Sequence, residues 1–441
     1  MAPRLAVIAD DLTGAMDTAL QFGKAGHRTV VSLTGMGPLH DCVVDVIVVS
    51  TDSREISPSA AYKAVWSATR EMAASGILRF YKKVDSTLRG HVATDLDAML
   101  DALGYSRALF CPSFPESGRI LVGGYHLVHQ VPLQRTELTS DPGARFKTSY
   151  VPGFLQENSR RPVGHISLGT VMAGSDEILA AMGAAFASRQ QILVADAATR
   201  EDLSAVAHAA DLFGEPLLLA GSAGLAEEVA ARLERVGDPP VFLGSSGPSR
   251  SDRPVLFVSG STTEVNREQV GYLLAQGEVA VIAGNAAALL SGDVGEQSRV
   301  MEAVVASLRS GRDTLVLSAP DSEAVRAGLT AGDLMGYTPQ ETRRVLAGAL
   351  AVLVARILGQ VRVAGLTVTG GEVSSQVLHA LGASQIELVG EVQAGVPLGR
   401  VLRPGLPPLA LVTKSGSLGQ VDAFHVAGMM LKQLDSEVTD P

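Results

Sequence analysis

Cysteine is nearly absent, with only Cys42 and Cys111 in 441 residues. Two cysteines allow at most one disulfide, and they exclude both a disulfide framework and a cysteine-based metal site. Aromatic residues are also scarce, at 4%, while glycine numbers 46. That balance suits Ala/Val/Leu-rich α/β layers better than an aromatic-rich β-sandwich. Net positive charge is missing too. The formal charge of −10 argues against a general polyanion binder, so no nucleic-acid partner is expected. A small anionic ligand is still allowed, because local basic groups set its site.

Long apolar runs are lacking as well. The start of the chain, MAPRLAVIADDL, is too short in apolar residues for a signal peptide, and two aspartates end the run. The longest candidate membrane span, GALAVLVARILGQVRVAGLTV, contains Arg356 and Arg362 and divides better into a helix and a strand. The expectation is a cytoplasmic protein with no membrane partner. There is no short-period repeat and no low-complexity tract.

What is present is α/β alternation. RLAVIADD is a short apolar run closed by carboxylates, LTGAMDTALQFGKAG has helical spacing, and TVVSL is a second apolar run. The pattern returns at VVDVIVVSTDSRE, LRFYKKVDSTLRG and ALFCPSFPESGR. Such alternation predicts a mostly parallel sheet covered by helices. Ligands of such sheets bind at the carboxyl ends of the strands. The clusters Asp10–Asp11, Thr51–Arg54, Lys82–Arg89 and Ser113–Arg119 all fall at those ends.

The Pro/Gly/Ser-rich stretch RVGDPPVFLGSSGPSRSDR reads as a linker. The expected division is a first domain over 1–235, a linker over 236–254, a second domain over 255–435 and a frayed tail over 436–441. The second domain opens a new α/β series. Its long helix is announced by Thr338, Pro339 and Glu341, a capping box with proline at the first helical position.

Three glycine-containing turns follow apolar strands in this domain: Ser259-Gly260-Ser261, Gly370-Gly371, and Lys414 through Gly416 to Gly419. Glycine lets backbone approach an anion, and a helix N-terminus offers unpaired N–H groups. A Gly-Gly pair is often only a tight connection, and neither a P-loop nor a dinucleotide fingerprint is written here. Three such turns together favour an anion site without naming the anion.

In the first domain, Asp85 should end a strand, with Ser86 or Thr87 capping a helix over LRGHVATDLDAML. Arg89 would then lie in the first helical turn, where a cation is unfavourable. Either a ligand carboxylate or an ion pair with Asp10, Asp11 or Asp85 would compensate. Asp10 and Asp11 repel each other unless a cation, a ligand hydroxyl or an arginine intervenes. Lys82 and Lys83 alternate across their strand, so at most one should face the site. Together Arg54, Lys82, Lys83, Arg89 and Arg119, with Asp10, Asp11, Asp52 and Asp85, would suit a polyhydroxylated carboxylic acid. The pair His126 and His129 has no further ligand cluster nearby, which disfavours a metal. AGSAG around Ser222 approximates a nucleophile elbow, but Ala220 replaces its first glycine and no triad order follows.

The ordered set IADDLTGAMDTA, STDSR, KKVDSTLRG, PSFPESGR, AGSAGLA, VSGS, TGGEVSSQVLHALG, GEVQAGVPLGRV and VTKSGSLG closely resembles the four-carbon acid sugar kinases. The resemblance runs from about residue 4 to residue 430. It implies a substrate-binding domain followed by an ATP-binding domain, with the active site in the cleft between them. The implied reaction is ATP-dependent phosphorylation of the terminal hydroxyl of threonate, erythronate or a 3-oxo relative. Nucleotide contacts are expected at Ser259, Ser261, Gly370, Gly371, Glu372, Val373, Lys414, Gly416 and Gly419. The acid is expected at Asp10, Arg54, Ser86, Arg89 and Arg119. Asp11 is the expected general base with Asp85 second, and Lys83 is expected to hold substrate or the moving phosphate.

Mg²⁺ is the expected companion of ATP, with its ligands unassigned. One departure stands out. GGYHLVHQVP carries Gly123 in place of the family's acid and Gln130 in place of its glycine, so a branched acid such as 3-oxo-isoapionate stays open. A non-catalytic sugar-acid binder would leave the glycine turns unused. The chain is compatible with a homo-oligomer.

Overall fold

A computed structural model describes residues 2–33, 35, 44–140, 144, 146–235, 239, 240, 242, 243, 251–277, 279–319 and 321–439. The chain divides into two compact units, Met1–Pro240 and Val241–Pro441. Cys42 and much of the expected linker lie outside the described residues; Cys111 is buried as a free thiol.

The first unit opens with β1 (Leu5–Ala9), α1 (Leu12–Lys24), β2 (Thr29–Ser32), β3 (Val46–Ser50) and α2 (Pro58–Ala74). Next come β4 (Arg79–Lys83), α3 (Val92–Leu103) and β5 (Ala108–Cys111). An antiparallel ribbon follows: β6 (Arg119–Val122), β7 (Tyr125–Val128) and β8 (Val131–Pro132). The unit closes with α4 (Val151–Asn158), β9 (Val163–Ile166), α5 (Leu168–Met172), α6 (Ser175–Ala187), β10 (Ile192–Ala195), α7 (Arg200–Leu212), β11 (Leu218–Gly221) and α8 (Ala223–Arg232).

The strand order in this unit is β2-β3-β1-β4-β11-β5-β10-β9, parallel throughout. Parallel strands are buried on both faces, so they read as unbroken apolar runs; all five residues of β1, LAVIA, are buried. The register aligns Ala9 with Ser50 and Lys83, and Lys83 with Gly221, so these carboxyl ends form one row. After β1 the chain builds β2 and β3 on one side of it, then crosses to β4 on the other. That reversal is where ligands of such sheets bind.

The second unit runs β12 (Val255–Ser259), α9 (Glu264–Ala275), β13 (Ala280–Ala283), α10 (Ala286–Leu290), α11 (Val294–Arg309), β14 (Thr314–Leu317), α12 (Ser322–Leu334) and α13 (Pro339–Leu358). It continues with β15 (Gly365–Thr369), α14 (Gly371–Ala380), β16 (Gln385–Gln393), β17 (Val396–Arg403), β18 (Leu406–Lys414) and α15 (Ala423–Thr439). The order is β13-β14-β12-β15-β18-β17-β16. The pairs from β13 to β18 are parallel, while β18-β17 and β17-β16 are antiparallel.

This meander departs from the simple alternation read in the sequence. Its cause is local: Gly395 and Gly405, at φ 75° and 72°, close connections two residues long, which only antiparallel neighbours can use. The capping box at Thr338 and Glu341 forms as expected, and the apolar run splits into α13 and β15. Among the described residues no helix is long and apolar enough to cross a membrane. Helix α15 runs to Thr439, and residues 440–441 of the expected tail lie outside the described residues.

Candidate active site

At the end of β1 the two aspartates have the arginine their adjacency requires. Arg54 Nε lies 2.7 Å from Asp10 Oδ2 and Nη2 lies 3.0 Å from Oδ1, while Nη1 lies 2.7 Å from Asp11 Oδ2. The other oxygen of Asp11 caps α1, accepting the Gly14 N–H at 2.9 Å. Arg54 is therefore committed to two carboxylates rather than standing open as a clamp.

Burial pushes Asp10 upward, but Arg54, Lys82 and Lys83 outweigh it and hold the group below the ordinary carboxylate range. For Asp11 the balance reverses. Burial, reinforced by the charges of Asp10 and Asp85, leaves it raised despite Arg54 and Lys83. Two adjacent carboxylates thus differ in basicity, and the more basic one is a candidate proton acceptor.

Lys82 and Lys83 diverge as strand alternation requires. Lys82 pairs with Ile8 in register and is fully buried, with Nζ 3.0 Å from Asp95 of α3. Lys83 pairs with Ala9 and reaches α1, where its Nζ lies 3.0 Å from the place a Gly14 side chain would take. Asp95 was not singled out in the sequence, although a buried lysine demands a counter-charge. Its burial, against the pull of Lys82, raises its carboxyl to about 6.

The Asp85–Arg89 segment corrects the sequence expectation. No helix begins at Leu88: Leu88 has φ 60° and Gly90 φ 84°, and α3 starts only at Val92. Arg89 therefore sits in a loop and folds back on Asp85, with Nη2–Oδ1 at 2.9 Å and Nε–Oδ2 at 3.0 Å. Thr87 donates its N–H to the same carboxylate at 3.1 Å, and its hydroxyl does so too. Burial opposes the charge, yet Arg54 and Arg89 hold Asp85 well below the ordinary range.

Ser86 is half-buried in this loop, while Asp52 is exposed at φ 47°. Arg119, at the start of β6, feels the charges of Asp85 and Arg89. It makes no ion pair among the described residues; its Nη1 donates to the Ser117 carbonyl and its buried Nε has no partner. Of the three predicted arginines, Arg119 is the one without a carboxylate.

In the second unit the register places Ser259, Thr369 and Lys414 side by side at the carboxyl ends of β12, β15 and β18. The turns that follow interlock. Gly260 N–H donates to Thr369 O at 3.1 Å, Gly370 N–H to Lys414 O at 3.0 Å, and Thr263 Oγ1 to Gly416 O at 2.6 Å. Side chains on Gly260 and Gly416 would collide with Val373 and Ser261, so both glycines are required by close approach. Asn266 holds Ser259 Oγ at 2.8 Å, and Gln269 donates to the carbonyls of Leu418, Gly419 and Gln420 at 3.0 Å each. The sequence did not flag either amide.

Helix α14 begins at Gly371 with Gly370 at φ 103° and no side-chain cap; Glu372 is exposed in its first turn. At the end of β18, Lys414 is 4% exposed, its carbonyl accepts the Gly370 N–H, and its Nζ has no hydrogen-bond partner among the described residues. Burial lowers this ammonium to about 8, with the Phe424 ring 5.4 Å away. Thr369 Oγ1 and Ser374 Oγ are also buried without hydrogen-bond partners among the described residues. An uncapped helix start and a buried cation without an ion-pair partner are both features that suit an anion.

Ser222 is fully buried, capping Gly224 at 3.1 Å and donating to Ser113 O at 2.7 Å, so it is structural. Among the described residues no group of His, Cys, Asp and Glu side chains is arranged to hold a metal.

Comparison with known proteins divides the chain into two domains. A model of a sugar-binding N-terminal domain matches residues 5–229, and one of a nucleotide-binding C-terminal domain matches residues 256–424. Together they define a protein class that pairs a sugar site with a nucleotide site. The chain is 33% identical to a D-erythronate kinase of Heliobacterium modesticaldum, over 95% of this chain and 94% of the relative. It is 32% identical to a D-threonate kinase of Salmonella typhimurium, over 94% and 95% respectively. A solved structure of a Haemophilus influenzae protein shares the fold, with a TM-score of 0.77 at 24% identity over 97% of this chain and 100% of that one. The chain belongs to the four-carbon acid sugar kinase family.

Proposed function

We propose that this kinase transfers the γ-phosphoryl group of ATP to the terminal hydroxyl of a four-carbon sugar acid of the threonate, erythronate or 3-oxo-tetronate type. The observation that supports the nucleotide half is the buried Lys414, whose Nζ has no hydrogen-bond partner among the described residues and whose carbonyl accepts the N–H of Gly370 at the uncapped start of α14. Ser259, Ser261, Gly370, Gly371, Glu372, Val373, Gly416 and Gly419 would surround the phosphates with backbone and hydroxyl donors.

Arg119, lacking a carboxylate partner, would take the carboxylate of the acid. Ser86 and Arg89 would line the same pocket, while Asp10 and Arg54 would order it from below. Asp11 would accept the hydroxyl proton as the acid attacks. Asp85, whose carboxyl Arg54 and Arg89 hold well below the ordinary range despite its burial, would be the second choice for that task. Lys83 would offset the charge gathered around the moving phosphoryl group.

Mg²⁺ enters this reading as part of the nucleotide substrate, chelated by its phosphates. The test is a coupled ADP-release assay across the stereoisomers of threonate, erythronate and their 3-oxo forms. Acid-dependent ADP release with one or more of them supports the reading; none with any of them overturns it. The same assay with 3-oxo-isoapionate tests the branched alternative.

A further inference from the structure

The ribbon β6–β8 is firmly mounted, and apart from Arg119 at its start it has no part in the reading above. Its turn at Gly123–Gly124 is pinned by Asp196, a fully buried carboxylate. Asp196 accepts Gly123 N–H at 2.7 Å, Gly124 N–H at 2.9 Å, Leu168 N–H at 3.0 Å and His165 Nε2 at 2.9 Å. Leu121 exchanges backbone hydrogen bonds with Ala197 at 2.9 and 3.1 Å. On β7, the backbone N–H of His126 donates to Ser149 O at 2.8 Å.

From this mount the imidazole of His126, 0% exposed, reaches the loop between β4 and α3. Its Nε2 lies 2.7 Å from the carbonyl oxygen of Ser86. That loop has no regular structure, and Leu88 holds a left-handed backbone within it. Such a segment keeps its shape only through anchors from outside. Burial lowers the imidazole to about 4, against the opposing pull of Ser86 and Asp85, so the ring is neutral near pH 7. A neutral ring facing a carbonyl carries its proton on Nε2, and its buried Nδ1 has no hydrogen-bond partner among the described residues.

We propose that His126 is a positioning residue: by donating Nε2–H to the Ser86 carbonyl, it sets the Asp85–Arg89 loop in the geometry that receives the sugar acid. The proposal rests on the reading that this loop borders the acid. Steady-state kinetics of His126→Phe and His126→Gln test it. Phenylalanine fills the space without a donor, whereas the glutamine amide returns an N–H near the Nε2 position.

The Phe variant is expected to raise the KM for the acid about tenfold or more while leaving the KM for ATP unchanged. The Gln variant is expected within about threefold of wild type. A Phe variant with an unchanged acid KM overturns the proposal, and so does a Gln variant impaired as badly as the Phe one.

Should either variant fold poorly, ¹⁵N NMR of histidine-labelled wild type decides. The expected signal is one ring neutral and Nε2-protonated at pH 6, shifting on addition of the acid but not of an ATP analogue. A ring charged at pH 6, or one indifferent to the acid, overturns it. Absence of wild-type turnover with every acid would remove the substrate reading and this role together. Turnover with an indifferent Phe variant removes this role alone.

Discussion

A methyl group on Gly90 would lie 2.7 Å from Oδ2 of Asp10, inside the contact distance of a real side chain. Gly90 also has φ 84°, which L side chains rarely adopt. Gly90→Ala should therefore destabilise the fold by about 1–3 kcal/mol and push Asp10 away from Arg54. Thermal denaturation measures the first effect. A raised KM for the acid measures the second, and an unaltered melting temperature would contradict both.

Asp11→Asn keeps an oxygen to cap α1 but removes the proton acceptor. Turnover should fall about 10²–10⁴-fold with ATP affinity retained. Because Asp11 is raised above the ordinary carboxylate value of about 3.9, the wild-type rate should decline, as pH falls, already above that value. The decline should vanish from the residual rate of the variant. Normal turnover by Asp11→Asn would eliminate this residue as the base.

Lys414→Met replaces a buried, unpaired ammonium with an apolar chain of similar length. The folded-state pKa of about 8 lies below the unfolded value of about 10.4. Below pH 8 the lysine is charged in both states and its burial penalty is fully present. As pH rises from 8 toward 10.4 the folded group is neutral, and the penalty disappears. The ligand-free variant should thus melt higher than wild type at pH 7, with the advantage shrinking by pH 10. Its KM for ATP should rise at least about tenfold, as expected for loss of a charged hydrogen bond. Equal melting curves at pH 7 would refute the penalty.

His129 and Gln130, at φ 47° and 68°, form the two-residue turn between β7 and β8 without a glycine. Left-handed backbone costs a non-glycine residue roughly 1–2 kcal/mol, partly offset by the entropy that glycine would lose. Gln130→Gly should stabilise the protein by about 0.5–1 kcal/mol, raising its melting temperature by up to about 4 °C. A lowered melting temperature would show that the Gln130 side chain contributes more than the turn costs.

Much of the architecture was legible because it is written locally. Short apolar runs, capping residues and glycine turns depend on neighbours within a few positions, and they mark the strands, α13 and the three turns of the second unit. The antiparallel meander was legible too, in the AG and PG pairs before Val396 and Leu406, but a parallel pattern elsewhere masked it. The start of α3 was misjudged because Leu88 adopts a conformation that its residue type gives no reason to expect.

The chain alone therefore determined the periodicity, the caps and the collection of acids and bases at the carboxyl ends of its strands. Only tertiary structure decided which charge meets which. Arg54 reaches back 44 positions to Asp10, Arg89 turns onto Asp85, Lys82 is matched by Asp95, and Arg119 and Lys414 are left without anionic partners among the described residues. The physical reason is that strand order brings distant residues to one edge, and there the cost of burying each charge depends on neighbours that no local pattern records.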